Sequence, residues 1–270
     1  MLWRGKLMND IYQLDLNQRR IYYLEAGQGE TLVLLHGNGA NASLYRPLIE
    51  ALALHYRVLA PDLPGYGRSL ARYPLTLESY LQELETFISH HSQGPIHLVG
   101  HSLGGLLAYL LQLRRRLPPL RSVVWMEAAL FDLDWRLRAI LPGYGRCFHF
   151  RSHRREAIER QLDALCWNYA GGNQSSSEAF IRSYLHADRR VQGLFLATAP
   201  SLLPYRFAEL QEPILCIRGE KEHFISRATD WFVPQLPLAR RQVIPQTGHF
   251  LIDENNPALN QAILEHLSAG

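Results

Sequence analysis

Apolar positions along the chain follow two alternating spacings. Short apolar runs bounded by glycine or proline occur at 31–37 (TLVLLHG), 56–63 (YRVLAPDL), 95–102 (PIHLVGHS), 121–128 (RSVVWMEA), 213–220 (PILCIRGE) and 241–248 (RQVIPQTG). Runs of this kind read as strands buried on both faces. Two earlier runs, DIYQLDL and RRIYYLEA, alternate only partly and are separated by Asn17-Gln18, which predicts an antiparallel hairpin at a sheet edge. Segments with helical spacing lie between the later runs, at 42–54, 78–91, 103–116, 226–235 and 257–268. The alternation predicts an α/β fold, with a mostly parallel eight-stranded sheet and helices on both faces.

The rhythm breaks between about 130 and 206, where no strand-type run occurs. Ile158, Leu162 and Leu165 fall at i, i+4 and i+7, and Phe180, Tyr184 and the Val191 to Leu196 run predict further short helices. The polar stretch GGNQSSS at 171–177 reads as a loop joining them. The expected organisation is a core formed by 1–129 and 207–270, carrying residues 130–206 as a helical cap set on the sheet after the sixth strand.

Composition narrows the class. A chain of 270 residues at 47% hydrophobic is globular, which excludes a disordered, collagen-like or disulfide-framework protein. The net charge of +3 is uneven: residues 130–206 hold 11 Arg and 7 acids, leaving 17 bases and 18 acids elsewhere. Only Lys6 and Lys221 are lysines, so the basic groups are almost all planar guanidiniums. Arg136, Arg138, Arg146, Arg151, Arg154 and Arg155 belong to this stretch. Most are expected on a solvated helix face, with pairs such as Glu156 and Arg160; alternatively some steer an anionic substrate, membrane or carrier surface. Cys147, Cys166 and Cys216 are too few and scattered for a metal site. No finger spacing, basic zipper or RNA-binding motif accompanies the arginines, so no nucleic-acid partner is expected. Without a secretory signal or an apolar span, a cytoplasmic location with no stable membrane insertion is the expectation.

The sharpest chemical feature is Gly100-His101-Ser102-Leu103-Gly104, between the apolar strand IHLV and the helical LGGLLAYLLQL. A serine on a tight strand-to-helix turn needs small neighbours, and it is aimed outward over the positive end of the helix. A phosphate-binding or purely structural turn is the alternative. A serine hydroxyl needs a base, and His249, in Gln246-Thr247-Gly248-His249-Phe250 after the last strand, is the best-placed of twelve histidines. His36, His101 and His223 also lie near strand ends but are tied to other roles by their motifs. Two carboxylates compete to orient His249: Glu222, three residues past Gly219, and Glu127, at the end of the sixth strand. For a tetrahedral oxyanion, the turn His36-Gly37-Asn38-Gly39 offers the Asn38 N–H and the helix start offers the Leu103 N–H.

From about residue 10 to 268 these elements together resemble α/β-hydrolase-fold serine hydrolases, in the esterase and carbon–carbon bond hydrolase branch. The resemblance rests on LLHGNG, APDLPGYGRS at 60–69, GHSLGG, GEKEHF and TGHF, in the order nucleophile, acid, histidine. It favours Glu222 as the acid, although the family usually has aspartate there. Glu127 matches the acid position of haloalkane dehalogenase-like members, whose aspartate nucleophile Ser102 replaces. The resemblance implies cleavage of a carboxylic ester through an acyl-enzyme, on a small-molecule acyl substrate, with no cofactor or metal. Its alternatives are hydrolysis of carbon–carbon bonds in ring-cleavage products, thioesterase or lipase activity, and a non-catalytic ligand-binding role. Trp135, Phe148, Phe150, Trp167, Tyr169 and Tyr184 of the insert are expected either in its own core or along an apolar pocket.

Overall fold

A computed structural model describes residues 11–16, 19–71, 74–92, 94–130, 154–165, 174–198, 205–222 and 226–269. Its strands are β1 (Ile11–Leu16), β2 (Arg19–Ala26), β3 (Thr31–Leu35), β4 (Arg57–Pro61), β5 (Ile96–His101), β6 (Leu120–Met126), β7 (Ile214–Gly219) and β8 (Ala239–Ile244). They form one eight-stranded sheet in the order β1-β2-β4-β3-β5-β6-β7-β8. The β1–β2 hairpin is antiparallel with Ile11 opposite Leu24, and β2 joins β4 antiparallel. Every later pairing is parallel. The carboxyl ends of β3, β5, β6, β7 and β8 therefore share one edge of the sheet, where ligands of open α/β folds bind.

The helices of the core are α1 (Arg46–Leu52), α2 (Leu77–His91) and α3 (Leu103–Arg114). Further along the chain come α4 (Arg155–Leu165), α5 (Gln174–His186), α6 (Arg189–Thr198), α7 (Ser226–Phe232), α8 (Leu251–Glu254) and α9 (Asn256–Ala269). Strand side chains alternate between two apolar layers, as a period of two requires. Val33, Leu35, Leu59, Leu98, Val123 and Trp125 face α2, α3 and α7. Leu32, Leu34, Val58, Val99, Val124 and Met126 face α1 and α9. Full burial of each such large side chain contributes about 1.5–3 kcal/mol. Helix α3 is buried almost all round, from Leu103 to Gln112, as a helix central to one layer must be.

Helices α4 and α5 pack through Ile158, Leu162, Ile181 and Tyr184. The expected loop at 171–177 needs correction, because Gln174–Ser177 form the first turn of α5. Polar residues are compatible with a first helical turn, where N–H groups lack intrahelical acceptors, and burial of Ile181 and Tyr184 holds the helix in place. Among the described residues no helix is long and apolar enough to cross a membrane.

Candidate active site

Ser102 lies between the end of β5 and the start of α3, with φ 52 and ψ −111. A non-glycine residue in such a conformation stores about 1–3 kcal/mol of strain and must be held. Its N–H donates to the Met126 carbonyl at 2.8 Å, and its own carbonyl accepts from Gly105, Leu106 and Ala129 at 3.0–3.1 Å. The flanking glycines are steric necessities. A Cβ at Gly100 would sit 2.2 Å from the Gly104 oxygen, and one at Gly104 would sit 2.1 Å from the Leu35 oxygen. Leu103, the first residue of α3, has an N–H with no acceptor inside the helix.

The glycine turn after β3 runs directly over this serine. A Cβ at Gly37 would lie 3.3 Å from the Ser102 Cβ. Asn38 is fixed by the Tyr66 hydroxyl, which donates to its Oδ1 at 2.8 Å. His36 accepts the Leu63 N–H at Nε2 (2.9 Å), so its Nδ1 carries the proton and donates to the Gly37 carbonyl at 2.8 Å. Asp62 accepts the N–H groups of Ala42 and Arg68. The APDLPGYGRS segment is thus the buttress of the turn.

Tyr45, which no sequence feature singled out, links three segments. The Gly37 N–H donates to the Tyr45 hydroxyl at 2.9 Å, and that hydroxyl lies 2.6 Å from His101 Nδ1. His101 Nε2 is 2.9 Å from the His249 carbonyl. A carbonyl only accepts, so Nε2 bears the proton and Nδ1 accepts from Tyr45. Burial pushes the His101 ring down to about 4, which keeps this tautomer neutral. The turn at Gly37, the serine turn and the histidine loop are therefore tied together behind Ser102.

Glu127, Glu222 and His249 converge, and all three are buried, at 0%, 2% and 6% exposure. One carboxylate oxygen of each glutamate and one ring nitrogen of His249 lie within 4.8 Å of one another. The sequence posed the two acids as alternatives; the fold brings both to the histidine. Glu127 follows β6 at φ 44, its N–H donates to the Ile217 carbonyl at 2.9 Å, and its Oε1 accepts the Gly219 N–H. Glu222 closes the turn begun by Gly219, and the neighbouring Lys221 N–H donates to the Thr247 carbonyl at 2.8 Å. Gly219 is required there, since a Cβ would meet the Gly248 oxygen at 2.3 Å. Burial first, then the Glu222 carboxylate, push the Glu127 carboxyl well above the ordinary range, against the Gly219 N–H and Arg218. Burial, then the His101 ring, hold His249 well below the usual histidine value. Among the described residues, His249 Nδ1 and Glu127 Oε2 are both buried without a hydrogen-bond partner.

Beside the site Leu44, Tyr45, His101, Phe180, Phe250 and Asp253 line a small pocket that is mainly apolar. Helix α5 meets the glycine turn here: Asn41 Nδ2 donates to Ser183 Oγ at 2.9 Å. Gly39, at φ 76, leaves room for the Tyr184 ring, whose nearest carbon would be 2.1 Å from a Cβ. Tyr184 is buried against Phe180. His223 and the aromatic positions 135, 148, 150, 167 and 169 lie outside the described residues, as do Arg136, Arg138, Arg146 and Arg151.

Comparison with known proteins bears on the family and the fold. The model of the alpha/beta hydrolase family matches residues 32–262. A 2-hydroxy-6-oxo-6-(2'-aminophenyl)hexa-2,4-dienoic acid hydrolase of Metapseudomonas resinovorans is 39% identical over 264 residues, covering 91% of this chain and 87% of that protein. A pimeloyl-[acyl-carrier protein] methyl ester esterase of Vibrio vulnificus is 35% identical over 122 residues, 45% of this chain and 46% of the esterase. Several such matches are local, the chain spanning only 35%, 41% and 46% of three curated relatives. Among solved structures, a serine hydrolase involved in carbazole degradation superposes with a TM-score of 0.77 at 22% identity, covering 97% of this chain and 99% of that one. With the family model spanning most of the chain and a serine turn, a buried histidine and two acids gathered at one sheet edge, the chain belongs to the alpha/beta hydrolase family.

Proposed function

We propose that the chain is a serine hydrolase that cleaves a carboxylic ester, with Ser102, His249 and Glu222 as nucleophile, base and orienting acid. The reading rests chiefly on the strained Ser102 turn, which lies under the Gly37-Asn38 turn and is tied through His101 to the His249 loop. His249 takes the hydroxyl proton as Oγ bonds to the carbonyl carbon, a step to which a positioned base adds about 10²–10⁴-fold. The oxyanion accepts from the Asn38 and Leu103 N–H groups, each donor contributing about 10²–10³-fold. The protonated histidine then gives its proton to the departing alcohol. Water, deprotonated in turn by His249, releases the acid and restores Ser102.

Residues 130–206 form a cap over this edge in the proposed organisation, consistent with the α5 contacts at Asn41 and Gly39. Carbon–carbon bond hydrolysis is the second reading, favoured by the near full-length match to the M. resinovorans hydrolase. A panel pairing p-nitrophenyl esters of increasing acyl length with a vinylogous 1,5-diketone acid separates the two. The serine assignment itself predicts that Ser102→Ala retains its fold by circular dichroism and loses about 10³-fold or more in ester turnover; undiminished turnover would remove Ser102 from the chemistry.

A further inference from the structure

Two buried carboxyls beside one imidazole are more than a triad needs. Their oxygens lie within 4.8 Å of each other and of a His249 nitrogen, and neither side chain reaches solvent to any extent. Like charges this close in a dry site cannot both be ionised. Among the described residues, the other charged or titratable groups acting on Glu127 do not supply enough compensation. Arg218, at the end of β7, acts on Glu127 but also lies 3.7 Å from Asp230. Glu254 of α8, held by the Gly248 N–H, adds further negative charge. His101 is kept neutral by its burial and by its bond to the His249 carbonyl.

We infer that Glu127 and Glu222 act as a single proton-sharing pair behind His249, in which Glu127 carries the proton and donates it to Glu222, and Glu222 accepts the His249 Nδ1–H. The inference rests on the serine-hydrolase reading for its catalytic meaning and on the geometry for the pair itself. Glu127 is the more deeply placed acid, pinned through Oε1 to the Gly219 N–H. Its free Oε2 and the free His249 Nδ1 are the two buried polar atoms that the pair would satisfy together. Burial and the Glu222 charge both act to keep Glu127 protonated. Glu127 is thus a positioning residue: it fixes the Glu222 carboxylate and limits the charge beside His249 to one. Two ionised carboxylates would hold the ring as imidazolium between turnovers and deprive Ser102 of its base.

Infrared spectroscopy and kinetics on the full chain test this together. A protonated-carboxyl C=O stretch should persist in the wild-type protein at neutral pH and vanish in Glu127→Gln. The amide of Glu127→Gln can replace the donated hydrogen bond, so kcat should fall by about tenfold or less, and Glu127→Ala should fall further. Glu222→Gln should lose about 10³-fold or more, as the loss of the orienting carboxylate does in related chemistry. Relative to Glu127→Gln, the wild type should also lose stability as pH rises above the ordinary carboxyl range, because its folded state holds a proton that the unfolded chain releases. Absence of the wild-type band overturns the pair even if the variants fail to fold, and so do equal losses in Glu127→Gln and Glu222→Gln. The hydrolase reading fails separately, through an active Ser102→Ala or a Ser102 that a fluorophosphonate does not label; neither result alters the infrared band.

Discussion

Tyr45 carries a load that no motif residue in the site carries. Its hydroxyl accepts from Gly37 and donates to His101, so Tyr45→Phe leaves two buried polar groups unpaired at a cost of about 1–3 kcal/mol. The loosened glycine turn should lower kcat about tenfold with KM little changed, because a small displacement of oxyanion donors acts on the transition state. Urea midpoints and initial rates on one ester would check both; a variant equal to wild type in each would show that the turn is held by other contacts. Ser102, Asn38, Leu103 and His249 were legible in the sequence because each sits beside a strand end or glycine turn. Tyr45 was not, because its partner His101 is 56 residues away and no spacing encodes that contact. The acids illustrate the same boundary. Both Glu127 and Glu222 could be found one at a time, but their convergence is a product of β6 and β7 lying side by side.

Strands were the most legible elements, since burial on both faces writes an uninterrupted apolar run, as in the LVLL of β3. The start of α5 was hidden because serines and a glutamine there read as loop by composition, and packing by Ile181 and Tyr184 decided otherwise. Helix α3 poses a conflict between local preference and packing that can be tested. Alanine favours a helix over glycine by about 1 kcal/mol, yet a Cβ at Gly104 would meet the Leu35 oxygen at 2.1 Å and the His36 oxygen at 2.9 Å. Backbone on the neighbouring strand cannot yield as a flexible side chain would. Gly104→Ala should therefore be destabilising by about 1–3 kcal/mol and should displace the serine turn; a midpoint raised by the substitution would mean that the strand gives way.

For the molecule as a whole, buried imidazoles set the response to acid. His36, His101 and His249 are wholly enclosed, and in each the largest influence is burial, which lowers the pKa. The unfolded chain binds protons at these rings below about pH 6.5 while the folded protein does not. The stability these rings contribute should be fully present above that value and decline as pH falls toward about 4, where the folded His101 itself takes up a proton. Each ring contributes a slope of up to about 1.4 kcal/mol per pH unit. Denaturant midpoints of Glu127→Gln, which lacks the opposing carboxyl, at about pH 7 and pH 5 measure the effect, and a midpoint that does not fall would contradict it. Arg155 of the basic stretch is engaged with Glu159 and Glu178 across α4 and α5, an exposed pairing of the solvated kind expected for the insert.

The strand order has a temporal consequence. From β5 onward the sheet grows outward in chain order, β5-β6-β7-β8, so a chain emerging from the ribosome can assemble the serine turn and dock β6 before its last strands exist. Glu222 follows β7 and His249 follows β8. A molecule whose synthesis has not yet passed β8 would hold a formed serine turn without the histidine that is its base in the proposed mechanism, so the proposed hydrolysis would require β8 and the loop after it.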